Sequence, residues 1–345
     1  MNNSSSRPQQ IEIEVPASIA NLGSGFDTLA VAVQLYLRVK ATVAPGNGQL
    51  EFSFVGQKPR GQNLIELGFR HLAGQSLETL PSLSVEVDSD IPMGAGLGSS
   101  AAATIAGLRL YDAIAGPVSQ QATLNAACGL EGHPDNASAA LLGGLTASCQ
   151  LGDGSVHAVT FSWPTSIGFI VLTPNQCLGT KQSRAALPQS VLLSDAVHNL
   201  QRMALLLHSL QQRDSSMLKH ALSDRLHQAA RQSIVPGLKE SLELQHPDLL
   251  GVFLSGSGPS IVALAERNFS KVAEVLASTY KPLGLDFSIR ILRVHEASQQ
   301  SRLTGKELFG GASRDRTDDL IVANDALSQL SYSPTRGWNR KSDPA

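Results

Sequence analysis

Residues Ile91-Pro92-Met93-Gly94-Ala95-Gly96-Leu97-Gly98-Ser99-Ser100-Ala101-Ala102 decide how the rest of the chain is read. Three glycines stand at alternate positions, where positive φ is open to them and no Cβ obstructs an approaching group. Two serines then open a run of small apolar residues, Ser99 to Ala115, without an internal proline. Its composition predicts a buried helix that stops at Gly116-Pro117. The unpaired N–H groups and positive dipole end of that helix face the glycines, so loop and helix form a candidate polyphosphate cradle. No Lys-Ser or Lys-Thr follows the last glycine, which excludes a Walker A loop. Nor is the spacing the Gly-x-Gly-x-x-Gly of a dinucleotide fold. Taken alone, the segment also reads as a glycine-rich turn with no ligand.

Upstream of the loop, Ile11, Ile13 and Val15 alternate with charged residues, as in a strand with one apolar face. Thr28 to Val43 is a long β-branched run, and Phe52/Phe54 and Leu83/Val85/Val87 repeat the period of two. Asn63 to Leu72 has helical spacing. Downstream, Gln120 to Leu142 reads as two helical pieces broken at Gly132-His133-Pro134, and Gly152-Asp153-Gly154 as a hairpin turn. Strands are expected at Ile167–Leu172, Gly251–Leu254, Ile261–Leu264 and Phe287–Val294, with helices at Asp195–Leu210 and Phe269–Tyr280. This alternation belongs to the α+β class, with helices on a sheet face.

A chain of 345 residues exceeds what a single core usually supports. The expected domains are 11–165 and 166–298. Residues 299–345 lack sustained apolar periodicity and are expected to be a disordered tail. With 42% hydrophobic and 16% charged residues the chain is expected to be globular, and a net charge of −2 speaks against nucleic-acid or membrane-surface partners. No run approaches the roughly 18 apolar residues of a membrane span. The Asn/Ser/Gln-rich start lacks the apolar core of a secretion signal, and three cysteines without metal-type spacing suit reduced, buried thiols. A cytoplasmic location is expected.

The pattern at residues 92–102 resembles the phosphate loop of the GHMP kinases. Two further motifs stand in that family's order. Pro16-Ala17-Ser18-Ile19-Ala20-Asn21-Leu22-Gly23-Ser24-Gly25-Phe26-Asp27 is similar to the first, and Leu254-Ser255-Gly256-Ser257-Gly258-Pro259-Ser260 resembles the third. The resemblance spans residue 11 to about 296. It implies an S5-like N-terminal domain, a ferredoxin-like C-terminal domain, and ATP bound by Pro92 to Ala102.

Between two apolar helical pieces, Glu131-Gly132-His133-Pro134-Asp135-Asn136 concentrates ligand-capable side chains. Mg²⁺ takes one or two carboxylates, with phosphate oxygens and waters completing its shell. Glu131 with Ser100 meets that requirement, and the resemblance assigns the ion to this pair. Thr180-Lys181-Gln182-Ser183-Arg184 resembles a substrate segment of the branch acting on L-homoserine, where the arginine binds the carboxylate; Arg231 resembles the second such arginine. A bidentate guanidinium is the natural partner of an amino-acid carboxylate. By resemblance, Asn21 and Asp27 hold the hydroxyl and ammonium ends. His133 and Asp135 are expected in the same pocket. No Asp–Lys pair stands out as a base, so catalysis is expected to be positional, with Asn21 and Asn136 orienting the hydroxyl. The product would be O-phospho-L-homoserine, on the route to threonine. The family often continues Asp-Asn-Val-Ala-Pro where this chain has Asp135-Asn136-Ala137-Ser138-Ala139. A kinase of another small alcohol and a non-catalytic nucleotide- or metabolite-binding relative stay open at this stage, as does a homodimer.

Overall fold

The computed structural model describes residues 10–296, apart from positions 57 and 60. Its first sheet is built on the antiparallel pair β1 (Gln10–Ala20) and β2 (Leu29–Ala44), with a register shift between Pro16 and Ala17. β3 (Leu50–Val55) runs parallel to β4 (Ser82–Ser89), and β4 pairs with β2 over Leu37–Ala44. β5 (Leu145–Gln150) takes the same edge of β2 over Leu29–Val31 and forms a hairpin with β6 (Val156–Phe161). Gly152-Asp153-Gly154 lies in the hairpin's turn.

Four helices accompany this sheet: α1 (Leu64–Ala73), α2 (Ser99–Ala115), α3 (Gln120–Glu131) and α4 (Asp135–Leu142). The Asn63 side chain caps α1 by accepting from the Ile65 and Glu66 N–H groups. Along α2, Ala101, Ala102, Thr104, Ile105, Ala106, Gly107, Leu108 and Leu110 are all buried, so the helix is covered on most sides, as its small apolar composition predicts. The helix packs against α1, α3, α4 and β1.

The second sheet has the order β10-β7-β9-β8, all antiparallel, from β7 (Gly168–Pro174), β8 (Gly251–Leu254), β9 (Ile261–Ala265) and β10 (Phe287–Leu292). Numbered within the sheet, that is 4-1-3-2, the ferredoxin-like order. Between β7 and β8 the chain makes α5 (Thr180–Ala185), the long α6 (Leu193–Gln212), and the short α7 (Leu218–Ala221), α8 (Gln228–Arg231) and α9 (Leu238–Leu242). α10 (Phe269–Ala277) lies between β9 and β10.

Every residue of β7 is buried because both faces of the strand are covered. Phe169 and Val171 enter the large core shared with Val15, Ile19 and Val31 of the first sheet. Ile170 and Leu172 enter a smaller core with Val272, Leu276 and Tyr280. The expected boundary near 165 falls between β6, the last strand of the first sheet, and β7; the large core spans that point.

Three expectations change. Cys128 is buried, but Cys149 and Cys177 are exposed, so the thiols are not uniformly interior. The helix expected over Phe269–Tyr280 ends at Ala277, and Tyr280 instead precedes a single 3₁₀ turn, with its ring in the smaller core. The short helices α5 and α7–α9 were not expected, because four to six residues are too few to show a helical period. The tail expected at 299–345 lies outside the described residues. Among the described residues, no helix is long and apolar enough to cross a membrane.

Candidate active site

Gly94, Gly96 and Gly98 all have positive φ, at 65°, 75° and 70°. Gly98 stands in the left-handed region immediately before α2, whose first helical bond is Ala102 N–H to the Gly98 carbonyl at 2.9 Å. The N–H groups of Ser99, Ser100 and Ala101 precede that bond and carry the positive end of the helix.

The sequence reading gives the space beside the glycines to phosphate. In the structure, much of it is taken by the chain itself. A Cβ on Gly96 would stand 2.4 Å from the Ser255 carbonyl oxygen, and one on Gly98 would stand 2.0 Å from Ser18 Oγ. The phosphate loop is therefore pressed between the first motif and the third. Ser18 N–H donates to the Leu97 carbonyl at 3.1 Å, and Ser255 Oγ donates to the Gly96 carbonyl at 2.6 Å. Three segments far apart in sequence fix one another.

Glu131 is the last residue of α3, and its Oε1 accepts from Ser100 Oγ and from Thr104 Oγ1, both at 2.8 Å. Thr104 follows Ser100 by one helical turn, so both hydroxyls lie on the same face. Gly132, with φ of 77°, then reverses the chain into α4. At that entry His133 Nδ1 lies 2.8 Å from Asp135 Oδ1, which also accepts from the Asn136 N–H at 2.7 Å. The hydrogen bond to the Asp135 carboxylate raises the His133 pKa above its ordinary value, against the opposing effect of burial. Asn136 Oδ1 accepts from Ser18 Oγ at 2.8 Å.

Asn21 is 2% exposed and holds a positive φ of 73°. Its amide donates to the Gly256 carbonyl at 3.0 Å and accepts from the Asp27 N–H at 3.0 Å. Both asparagines expected to orient a hydroxyl are thus held in place by protein partners.

The two arginines differ in setting. Arg184, on α5, grips Asp27 bidentately, Nη1 to Oδ2 at 3.0 Å and Nη2 to Oδ1 at 2.8 Å. The groups that the resemblance assigns to opposite ends of a substrate hold each other here. Arg231, at the end of α8, is 2% exposed. Its Nη1 donates to the Gly256 carbonyl at 3.1 Å and to His227 Nδ1 at 3.0 Å, and its guanidinium lies 5.5 Å from the Phe26 ring centroid. Burial first, then the nearby Arg184 charge, pulls its pKa down to about 10, which leaves it a cation at neutral pH.

Asn21, Asp27, Glu131, His133, Asp135, Asn136, Arg184 and Arg231 line one cleft with loop residues Gly94 to Ala101. Pro92 and Met93 instead line an adjoining, more apolar cavity with Phe54, Val87 and Ile91; it shares Leu64, Gly94, Ser99 and Ser100 with the first. Ala102 lies beneath the loop, wholly buried, with its N–H already bonded to Gly98. Sequence reasoning passed over Ser18, Thr104, Phe26 and His227. The i, i+4 spacing of Ser100 and Thr104 was a usable signal for one of them. Among the described residues no cluster of three His, Cys, Asp or Glu side chains is arranged for a metal. Glu131 and Ser100 are two hard oxygen donors facing the phosphate loop, a set that fits a phosphate-bound Mg²⁺.

A glycine loop at a helix N-terminus, a carboxylate–hydroxyl pair beside it, and a recess holding two arginines are an arrangement suited to a phosphotransferase for small molecules. Family models match in two stretches, the GHMP kinases N terminal domain at residues 63–144 and the GHMP kinases C terminal domain at 203–282. The chain is 37% identical over 277 residues to the homoserine kinase of Solibacter usitatus, covering 78% of this chain and 90% of that one. It is 39% identical over 254 residues to a homoserine kinase of Thermus thermophilus, covering 73% and 85%. A crystal structure of homoserine kinase from Cytophaga hutchinsonii shares the fold, with a TM-score of 0.75 at 24% identity over 86% of this chain and 99% of that one. The chain belongs to the GHMP kinase family.

Proposed function

We propose that the chain transfers the γ-phosphoryl group of ATP to the hydroxyl of L-homoserine, giving O-phospho-L-homoserine and ADP, a step of threonine biosynthesis. The observation that carries this reading is the grouping of Arg184, Arg231 and Asp27 in the cleft that holds the phosphate loop and Glu131. An amino-acid zwitterion presents a carboxylate and an ammonium, the charge complement of an arginine–aspartate pair. Substrate entering beside Arg184 and Asp27 extends their ion pair into a four-group network, with Arg231 as the second cation for the carboxylate. Mevalonate has the carboxylate but no ammonium, and a sugar has neither.

In the transfer, the substrate hydroxyl oxygen bonds to the γ-phosphorus as the bond to the β,γ-bridging oxygen breaks, and the hydroxyl proton is released. A loose transition state asks for alignment and charge neutralisation more than for a strong base. Asn21 and Asn136, fixed by Gly256 and Ser18, orient the hydroxyl with little reorganisation. The N–H groups of Ser99, Ser100 and Ala101 receive the phosphates. Glu131 and Ser100 would hold Mg²⁺, which when bound offsets charge on the β- and γ-phosphate oxygens. The apolar cavity around Phe54, Leu64 and Ile91 is continuous with the loop and suits the adenine base. ATP consumption against a panel of L-homoserine, L-threonine, mevalonate and galactose tests the reading. Homoserine is expected to turn over fastest and only with a divalent ion; faster turnover of mevalonate would overturn the substrate and leave the kinase.

A further inference from the structure

Arg231 reaches the cleft from a four-residue helix, too short to fix a long side chain unaided. The buried Asp224 carboxylate secures the start of α8 by accepting from the N–H groups of Leu226, His227 and Gln228 at 3.1, 2.9 and 2.7 Å, and from Asn199 Nδ2 at 2.7 Å. His227, with no exposed surface, stacks on Phe26 at 5.0 Å between ring centroids and 20° between planes. Its Nε2 lies 2.9 Å from the Gly23 carbonyl and its Nδ1 lies 3.0 Å from Arg231 Nη1.

Both partners have fixed polarity. A guanidinium N–H only donates and a carbonyl oxygen only accepts. The ring must therefore carry its proton on Nε2 and offer the Nδ1 lone pair to Arg231. We propose that His227, in this neutral Nε2–H form, is a positioning residue that aims the Arg231 guanidinium at the carboxylate end of the substrate cleft. The inference rests on the reading of Arg231 given above. A doubly protonated ring would turn N–H against N–H. The charged groups acting on the ring are Asp224, 3.8 Å from Nε2, Arg231, and Asp27. Burial outweighs the two carboxylates and holds the His227 pKa below its ordinary value.

Two replacements separate the ring's two bonds. His227→Asn places an amide oxygen near Nδ1 and keeps an acceptor for Arg231, whereas His227→Gln reaches toward Gly23 and loses that acceptor. His227→Gln is expected to raise the KM for homoserine about five- to tenfold with kcat and the ATP KM within about twofold. His227→Asn should return the homoserine KM to within about twofold of the unmodified enzyme. Equal effects of the two replacements, or an ATP KM that rises in step, would show a merely structural ring and overturn the proposal. Arg231→Ala measured alongside separates the two claims. If it raises the homoserine KM and His227→Gln does not, the positioning role fails; if it changes nothing, the reading of Arg231 fails. A further measurement leaves residue 227 untouched. In His295→Gln protein, which lacks the other buried histidine, long-range ¹H–¹⁵N spectra should show one Nε2–H ring that stays neutral from about pH 8 down to pH 6. Absence of such a ring overturns the assigned tautomer.

Discussion

Replacing either arginine by alanine should damage homoserine binding alike but stability unequally, and the difference follows from burial. Each replacement removes a charge-assisted contact to a substrate carboxylate, about 1.5–3 kcal/mol, so the homoserine KM should rise by roughly one to two orders of magnitude. The ATP KM should stay within a few-fold, because neither guanidinium belongs to the loop. Arg184 has a side chain 37% exposed, and its loss leaves an Asp27 carboxylate that water reaches, at 34% exposure. A surface-type ion pair of this kind contributes only about 0–1 kcal/mol, so Arg184→Ala should shift the melting temperature little. Arg231 is 2% exposed, and its loss strands the buried His227 Nδ1 acceptor, while the Gly256 carbonyl keeps only the Asn21 amide as donor. Leaving a buried polar group unpaired costs about 1–3 kcal/mol, so Arg231→Ala should lower the melting temperature by several degrees. Lysine should rescue poorly at 184, where both nitrogens of the fork are used on Asp27. Steady-state kinetics in both substrates, with calorimetry on the same preparations, decide the matter. Weakened ATP binding with homoserine untouched would place both arginines in the nucleotide site and refute the reasoning.

Glu131→Gln should lower kcat at least tenfold and raise the Mg²⁺ concentration needed for half activation, measured by titrating the ion at saturating substrates. Gly98→Ala forces a Cβ to within 2.0 Å of Ser18 Oγ at a φ of 70°, so both nucleotide affinity and stability should fall; a Ser18→Gly partner should recover part of the loss if the clash is the cause. Because Asp135 raises the His133 pKa, the fold favours the protonated ring. That contribution is complete below about pH 6.5 and is lost as pH rises through the higher folded value. The difference in melting temperature between the unmodified protein and Asp135→Asn should therefore shrink from about pH 5.5 to pH 8, and a difference that grows would contradict the assigned shift.

Much of the architecture was legible because the periods were long. The glycines with Ser99-Ser100 and the Gly116-Pro117 stop set the two ends of α2, and Gly132 with Pro134 placed the break between α3 and α4. The site was legible where chemistry clusters in sequence, as it does from Glu131 to Asn136. It was less so where function depends on pairs brought together by folding. Nothing near Gly96 says that its missing side chain makes room for the Ser255 carbonyl, or that Gly98 makes room for Ser18. Arg184 and Asp27 lie 157 positions apart, and their mutual ion pair is a property of the closed fold. His227 shows the same limit most sharply. Its place one helical turn before Arg231 fits an ordinary surface helix as well as a buried one. The partners that fix its tautomer, Gly23 and Phe26, come from the opposite end of the chain. A histidine becomes informative only when both ring nitrogens have named partners of known polarity, and that knowledge belongs to the folded molecule.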